Sequence, residues 1–142
     1  MKQIKLIVYD FDGVMTDNKV YVNQDGHEMV RVNRADGLGI LEIRKLGIEQ
    51  MILSTEKNKV VAARANKLRL PYLQGVKNKA SALKKYCTEK GFALEVVAFV
   101  GNDINDLKVM QLVGTTFCPA DAHPTIKQIS THILKTKGGD GI

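Results

Sequence analysis

The chain has 142 residues, of which 44% are hydrophobic and 25% charged, which is the composition of an ordinary globular domain. We expect one domain over residues 1–142. No apolar run is long enough to span a bilayer, and the first residues lead into a strand-length run rather than a signal peptide. Cys87 and Cys118 lie too far apart to form a redox or zinc pair, so free thiols and a cytoplasmic location without membrane contact are predicted.

The net charge of +6 is not by itself evidence for a nucleic-acid-binding protein. A nucleic-acid-binding domain typically shows a dense basic stripe with aromatic side chains available for stacking. Here Trp is absent, and the Tyr and Phe residues do not alternate with the basic ones. We therefore expect no nucleic-acid partner. Most basic residues are expected to form a solvated surface, while a few attract a small anionic substrate.

Strand-like and helix-like segments alternate along the chain, which predicts an α/β fold with a doubly wound parallel sheet and helices on its faces. Asp36 is predicted as the N-cap of the first helix and Gly47 as the residue that ends it. In chain order we predict a strand at 4–9, a protruding β-hairpin with strands 20–22 and 29–32, a helix at 36–46, a strand at 49–54, a helix at 57–68, a strand at 72–73, a helix at 80–91, a strand at 96–100, a helix at 104–113, a strand at 115–118, a short helix after residue 124 and a strand at 132–134.

The most informative stretch follows the first predicted strand. Asp10 and Asp12 stand two residues apart at the end of an apolar run, and period-two geometry directs them the same way. Burying two carboxylates together costs free energy, so a protein retains such a pair where a cation offsets the charge or where the carboxylates take part in a reaction. Gly13 allows a sharp turn close to a ligand. An Asp-Gly pair alone would favour an ordinary turn, so the interpretation depends on later residues.

Polar side chains also follow the other predicted strands. Ser54 ends the strand at 49–54, Lys79 precedes the next long helix, and Asp103 and Asp106 follow the strand at 96–100. Each has an ordinary explanation alone: a helix cap for the serine, a surface position for the lysine, and a helix start for the two acids. Ligands bind at the carboxyl ends of parallel strands, so together the residues predict one site.

This order of motifs resembles that of the haloacid dehalogenase superfamily of phosphatases, over nearly the whole chain. The resemblance implies an aspartyl-phosphate formed on Asp10, with Asp12 protonating the leaving alkoxide and then deprotonating water. It implies Mg²⁺ bound by the Asp10 carboxylate, the Asp12 backbone carbonyl and the Asp103 carboxylate. Ser54 would hydrogen-bond a phosphoryl oxygen and Lys79 would neutralise its charge, while Asp106 orients Lys79 or a metal-bound water.

Phosphatases of this superfamily often carry an inserted cap domain, but neither interval between motifs is long enough to hold one. The hairpin between Val20 and Val32 is expected to pack against other subunits and help close a neighbour's site, because an isolated ribbon is marginal by itself. The uncapped form, with the motifs at 10–17, 36–40 and 138–141, resembles phosphatases of 2-keto-3-deoxy sugar acids, which form homotetramers.

Within that branch, octulosonate 8-phosphate phosphatases typically place Arg where Glu56 stands, whereas nonulosonate (sialic-type) 9-phosphatases resemble this chain. We therefore favour a nonulosonate 9-phosphate substrate. Arg64 and Lys67 are candidates for binding the sugar-acid carboxylate, although both also fit a solvated helix face. Thr55 replaces a usual glycine, which would narrow the substrate site. Two other functions fit part of this pattern: a non-catalytic tetramerisation module like those of sialic-acid cytidylyltransferases, and a phospho-accepting receiver domain. The retained motif residues, and the position of Asp10 after the first strand, count against both.

Overall fold

The computed structural model describes residues 3–142. Six strands form one parallel sheet in the order β5-β4-β1-β6-β7-β8, and β2 pairs with β3 as a separate antiparallel hairpin. The strands are β1 (Leu6–Tyr9), β2 (Thr16–Val22), β3 (Glu28–Val32), β4 (Glu49–Leu53), β5 (Tyr72–Leu73), β6 (Val97–Val100), β7 (Thr115–Cys118) and β8 (His132–Ile133). The helices are α1 (Ala35–Lys45), α2 (Lys59–Leu68), α3 (Lys79–Lys90), α4 (Leu107–Met110) and α5 (Pro124–Ile129), with 3₁₀ turns at Leu94–Val96 and Ile104–Asp106.

Two apolar layers cover the sheet, as the doubly wound prediction requires. On one face, Leu6, Val8 and Phe99 pack with side chains of α3, α4 and α5. On the other face, Tyr9 and Ile52 pack with side chains of α1 and α2. The predicted fold class is therefore confirmed. The sequences of the buried strands are near-continuous apolar runs because both faces of a parallel sheet are covered.

The central position of β1 determines where a ligand can bind. The chain passes from β1 to β4 and β5 on one side, and then returns to β6 on the other side. In such a sheet, the crevice outside the carboxyl ends of the strands at this reversal is the usual ligand site. Asp10 follows β1 directly, and residues 101–106 follow β6.

Each of the long predicted helices differs from the structure at an end: α2 begins at Lys59 rather than at 57, α3 covers Lys79–Lys90 rather than 80–91, and two further differences have a visible cause. Asp36 is not the N-cap: α1 begins one residue earlier, and the Asn33 side chain accepts a hydrogen bond from the Ala35 backbone N–H at 2.8 Å. The Asp36 side chain instead lies buried beneath the first turn. The helix predicted at 104–113 is only a 3₁₀ turn followed by one turn of α4. It ends early because Gly114 packs directly on the backbone of Glu95 as the chain enters β7.

The hairpin departs from the main sheet and begins earlier than predicted. The register of β2 against β3 shifts between Thr16 and Val20, a bulge-like irregularity in which three residues of β2 lie opposite one residue of β3. Four large apolar side chains of the hairpin are at least half exposed: Val20, Tyr21, Val22 and Met29. No helix among the described residues is long and apolar enough to cross a membrane.

Candidate active site

A buried lysine joins two carboxylates at the carboxyl ends of β1 and β6. Lys79 Nζ lies 2.9 Å from Asp10 Oδ1 and 2.7 Å from Asp106 Oδ1, and all three side chains are at least nine-tenths buried. Asp106 Oδ2 also accepts a hydrogen bond from the Asn102 backbone N–H at 3.1 Å. Asp106 therefore fixes both the lysine and the loop that follows β6.

The local sequence explains how these groups meet. Lys79 is the first residue of α3, and the Asn78 side chain caps that helix by accepting from the Ser81 N–H at 3.1 Å. Gly101 lies against the Asp106 side chain, where a Cβ atom would approach the carboxyl carbon to 2.9 Å. A side chain at position 101 would therefore push Asp106 away from Lys79.

The charges of this cluster do not balance. Burial, followed by the negative charge of Asp106, raises the pKa of Asp10 well above its ordinary range, while Lys79 acts to lower it. Burial acts to lower the pKa of Lys79, but the two carboxylates outweigh burial and raise it. Lys79 therefore remains charged and serves two carboxylates at once. A further cation beside Asp10 would complete the neutralisation.

Asp12 lies nearer the solvent than Asp10 and is half buried. Burial, and then the negative charge of Glu56, raise its pKa, whereas Lys79 acts in the opposite direction. A carboxyl group with a raised pKa is protonated over a wider pH range than a free one, as a proton donor must be. The positive φ of Gly13 (82°) turns the backbone here, and a Cβ atom at Gly13 would overlap the Asn102 side chain.

The segment after β4 closes a second side of the site. Ser54 is buried, and its Oγ accepts a hydrogen bond from the Glu56 N–H at 3.0 Å. Glu56 Oε1 accepts from the N–H groups of Lys57 (2.9 Å) and Asn58 (3.0 Å), so the glutamate is held just before α2. Thr55 between them is exposed and lines the cleft.

The cleft itself has a volume of about 80 Å³. Pockets that bury a drug-sized molecule are typically about 300–1,000 Å³. This cleft can therefore enclose a group the size of a phosphoryl, while the rest of a sugar-acid ester extends beyond it. Its lining is Asp10, Asp12, Asn18, Thr55, Asn102, Asp103 and Asn105.

Asn102 is the contact that sequence reasoning missed. One polar atom of its side-chain amide lies 3.0 Å from Asp10 Oδ2 and 3.1 Å from the Asp12 carbonyl oxygen. The hydrogen-bond pattern assigns that atom as the nitrogen, because only a donor satisfies two acceptors. Its sequence signal is its place in the polar loop after β6, next to the candidate ligand Asp103.

The same geometry tests whether a divalent cation fits. Two neighbouring ligands of octahedral Mg²⁺ at about 2.1 Å lie about 3 Å apart, which matches both separations at Asn102. Rotating the amide by half a turn presents a third oxygen beside those of Asp10 and Asp12. Among residues 3–142, no group of three His, Cys, Asp or Glu side chains can hold a metal. Carbonyl and amide oxygens must therefore complete any metal site here, and the residues present fit one.

Asp103 takes a different position from Asn102. Its side chain is exposed at the rim of the cleft, and Oδ1 accepts from the Ile104 N–H at 2.7 Å at the start of the 3₁₀ turn. It is close enough to line the cleft.

Arg64 and Lys67 lie on α2, away from the cleft lining given above. Arg64 donates from Nη2 to the Asn33 carbonyl oxygen at 3.0 Å and so ties α2 to the segment before α1. Lys67 is exposed in the last turn of α2. Within one described chain, these two side chains are therefore not gathered with the carboxylates of the cleft.

Comparison with known proteins agrees with this arrangement. Residues 47–142 match the family model of haloacid dehalogenase-like hydrolases. The 3-deoxy-D-manno-octulosonate 8-phosphate phosphatase KdsC of Escherichia coli (strain K12) is 35% identical over 141 residues, which cover 99% of this chain and 75% of that protein.

Solved structures give the same result. A HAD family hydrolase from Streptomyces avermitilis has a TM-score of 0.95 at 48% identity, covering 98% of this chain and 80% of that one. The 3-deoxy-D-manno-octulosonate 8-phosphate phosphatase from Moraxella catarrhalis, in complex with magnesium ion, phosphate ion and a KDO molecule, has a TM-score of 0.93 at 29% identity, covering 97% and 80%. The predicted resemblance is thereby confirmed: the chain belongs to the haloacid dehalogenase-like hydrolases and is a phosphatase of that family.

Proposed function

We propose that this chain hydrolyses the phosphate monoester of a 2-keto-3-deoxy sugar acid through an aspartyl-phosphate on Asp10. The observation that carries the proposal is the buried Asp10–Lys79–Asp106 cluster opening onto a phosphoryl-sized cleft beside Asp12. Lys79 and the Phe11 N–H (2.7 Å) hold Asp10 Oδ1, and Oδ2 lies on the Asn102 side of the carboxylate. The Asp10 carboxylate is thus held in one orientation beside the cleft, from which it can attack phosphorus.

The reaction has two steps in this account. An oxygen of Asp10 bonds to phosphorus as the ester P–O bond breaks, and Asp12 gives its proton to the departing alkoxide. Water then attacks the phosphorus, Asp12 takes one of its protons, and the acyl-phosphate bond breaks to release phosphate and restore Asp10. Ser54 and Lys79 bind the phosphoryl oxygens, and Asp106 keeps Lys79 in position.

Magnesium is the proposed cofactor, held by the Asp10 carboxylate, the Asp12 carbonyl oxygen and an oxygen from the loop after β6. When bound, it lets one anion approach another by neutralising charge. Asp103 is the ligand implied by the resemblance, whereas the Asn102 amide lies within 3.1 Å of both Asp10 Oδ2 and the Asp12 carbonyl oxygen and would turn its oxygen towards a cation. We propose Asn102 as the direct ligand, with Asp103 reaching the metal through water.

Metal binding separates these two assignments. Asn102→Ala is expected to weaken Mn²⁺ binding, followed by calorimetry or electron paramagnetic resonance, by at least tenfold. Asp103→Asn, which changes the neighbouring residue and removes a charge, is expected to weaken it by less than threefold. The reverse order of the two losses would restore Asp103 as the direct ligand.

Asp12→Asn is expected to reduce kcat by about 10²–10⁴-fold, with a smaller change in KM, because an amide cannot transfer the proton. Since the pKa of Asp12 is raised, activity should fall on the alkaline side as Asp12 loses its proton. Asp12→Asn should remove that limb of the kcat profile. Glu89→Gln, on the exposed end of α3, is the matched acid-to-amide control. Equal losses in both variants would contradict the role of Asp12.

For the substrate, we propose a nonulosonate 9-phosphate in preference to 3-deoxy-D-manno-octulosonate 8-phosphate. The support is the resemblance at Glu56, where octulosonate 8-phosphate phosphatases typically place an Arg that could bind the substrate carboxylate and nonulosonate 9-phosphatases resemble this chain. The expected result is a higher kcat/KM for phosphate release from the nine-carbon acid. A preference for the eight-carbon acid would keep the phosphatase assignment and reject the Glu56 argument.

We also propose a homotetramer in which the hairpin between Val20 and Val32 forms the subunit contact. Tyr21 and Met29 support it, since they pair across the two strands and are each about two-thirds exposed. The cleft of a single chain is small, and Arg64 and Lys67 lie away from it. Both observations favour a site that is completed by a neighbouring subunit.

The double variant Tyr21→Ser/Met29→Lys is expected to sediment as smaller species and to lose activity. Leu46→Ser, which removes an equally exposed apolar side chain at the end of α1, should change neither property. A wild-type monomer with full activity would contradict the proposed assembly.

A further inference from the structure

Asn18 adopts an unusual backbone conformation beside the cleft. Its φ of 68° lies in the left-handed region, and only Arg69 shares that feature among the non-glycine residues described. Asn18 lies in the bulge of β2 between Thr16 and Val20. Bulges next to active sites commonly redirect a side chain, and strained residues persist where the surroundings impose them.

The surroundings of Asn18 are tied to the loop that carries the catalytic carboxylates. The hydroxyl of Thr16, which is fully buried, accepts from the Asn18 N–H at 3.0 Å and from the Gly13 N–H at 3.2 Å. On the other side of Asn18, the Asp17 carboxylate accepts from the Lys19 backbone N–H at 3.0 Å and pairs with Arg31. The backbone at Asn18 is therefore held in fixed relation to Asp10 and Asp12.

The Asn18 side chain lines the cleft together with Thr55 and Asn105, so that with Asn102 four of the seven lining residues are uncharged and the other three are carboxylates. No hydrogen bond joins its amide to another residue within 3–142. An amide offers a donor and an acceptor in one group, which suits a hydroxyl that must both accept and donate. A charged rim residue would instead favour an anion or a cation.

We propose that Asn18 is a specificity residue that hydrogen-bonds a hydroxyl of the leaving alcohol close to the phosphoester, so that the enzyme selects polyhydroxylated alkyl phosphates. The inference rests on the phosphatase function proposed above and names the part of the substrate that Asn18 reads. The competing explanation is that Asn18 is only a turn residue, since Asn tolerates this conformation better than most residues.

Asn18→Gly separates the two explanations, because glycine accepts the positive φ and removes only the amide. Arg69→Gly is the matched control, since it relieves the same conformation (φ 56°) at the end of α2. We expect Asn18→Gly to lower kcat/KM for the sugar-acid phosphates by about tenfold, mostly through KM, which corresponds to one lost hydrogen bond. Its kcat/KM for p-nitrophenyl phosphate, whose leaving group has no hydroxyl beside the ester, should stay within twofold of wild type.

Three results would overturn the inference. The first is an Asn18→Gly enzyme unchanged on the sugar-acid phosphates, and the second is an equal loss on both kinds of substrate. The third is a wild-type protein that releases phosphate from no ester, which would reject the proposed function as well. If wild type hydrolyses only p-nitrophenyl phosphate, the substrate class alone fails. The inference is then tested by comparing how glycerol 3-phosphate and propyl phosphate inhibit that reaction. Only glycerol 3-phosphate has hydroxyls close to the phosphoester, so Asn18→Gly should weaken inhibition by glycerol 3-phosphate and leave inhibition by propyl phosphate unchanged.

Discussion

Asp10→Asn is expected to abolish phosphate release and, in the same protein, to raise the free energy of unfolding. The amide is a poor nucleophile, so activity should fall by at least about 10³-fold. It has the shape of the carboxylate and still accepts hydrogen bonds from Lys79 and the Phe11 N–H. Because the variant removes one of two carboxylates that share a single lysine, we expect a gain of on the order of 1 kcal/mol near neutral pH.

The pH dependence of that gain follows from the raised pKa of Asp10. A carboxyl with a raised pKa in the folded state favours folding most at low pH, below its unfolded pKa, and loses that contribution as pH rises through the folded value. The advantage of Asp10→Asn should therefore grow from acid to neutral pH in urea unfolding. A variant less stable than wild type at neutral pH would show that Asp10 is adequately neutralised by Lys79 alone.

Lys79→Met is expected to have the opposite effect on stability and a similar effect on activity. Removing the buried cation leaves Asp10 and Asp106 facing each other, and breaking a buried ion pair from one side typically costs about 3–5 kcal/mol. Without Lys79, Asp10 takes up a proton and can no longer attack phosphorus. We expect kcat/KM to fall by about 10²–10³-fold or more.

Lys77→Met is the control for that experiment, since Lys77 lies two residues earlier and is exposed. It should change the unfolding free energy by no more than about 0.5 kcal/mol. If Lys79→Met unfolds wholly at neutral pH, Lys79→Arg keeps the charge and reports on geometry alone. Stability of Lys79→Met equal to wild type would contradict the buried cluster.

The sheet and its core were predictable because their signal is local. Apolar runs such as that ending at Tyr9 mark strands covered on both faces, and the polar residue after each run marks the edge where ligands bind. The ends of helices were less predictable, because they depend on tertiary contacts. Asp36 turns inward beneath α1 rather than capping it, and Gly114 stops the helix after β6 by packing on Glu95.

The charged residues of the candidate site were predictable from the sequence. Carboxylates at strand ends and a lysine at the start of a helix are conspicuous, since each is costly to bury without a partner. Asn102 is uncharged and was not predicted as a site residue, and only the folded loop shows its amide in contact with Asp10 and Asp12. Asn18 is similarly hidden, because its role depends on a bulge that alternation of apolar residues does not reveal.

The most direct test of this account is a single-turnover experiment on the Asp12→Asn enzyme with a sugar-acid phosphate and Mg²⁺. Acid quenching, borohydride reduction of any acyl-phosphate and peptide mass spectrometry would locate the covalent intermediate. We predict modification at Asp10 and none in an Asp10→Asn control. Release of phosphate by the wild type with no modified Asp10 at any time, or modification at another residue, would contradict Asp10 as the nucleophile.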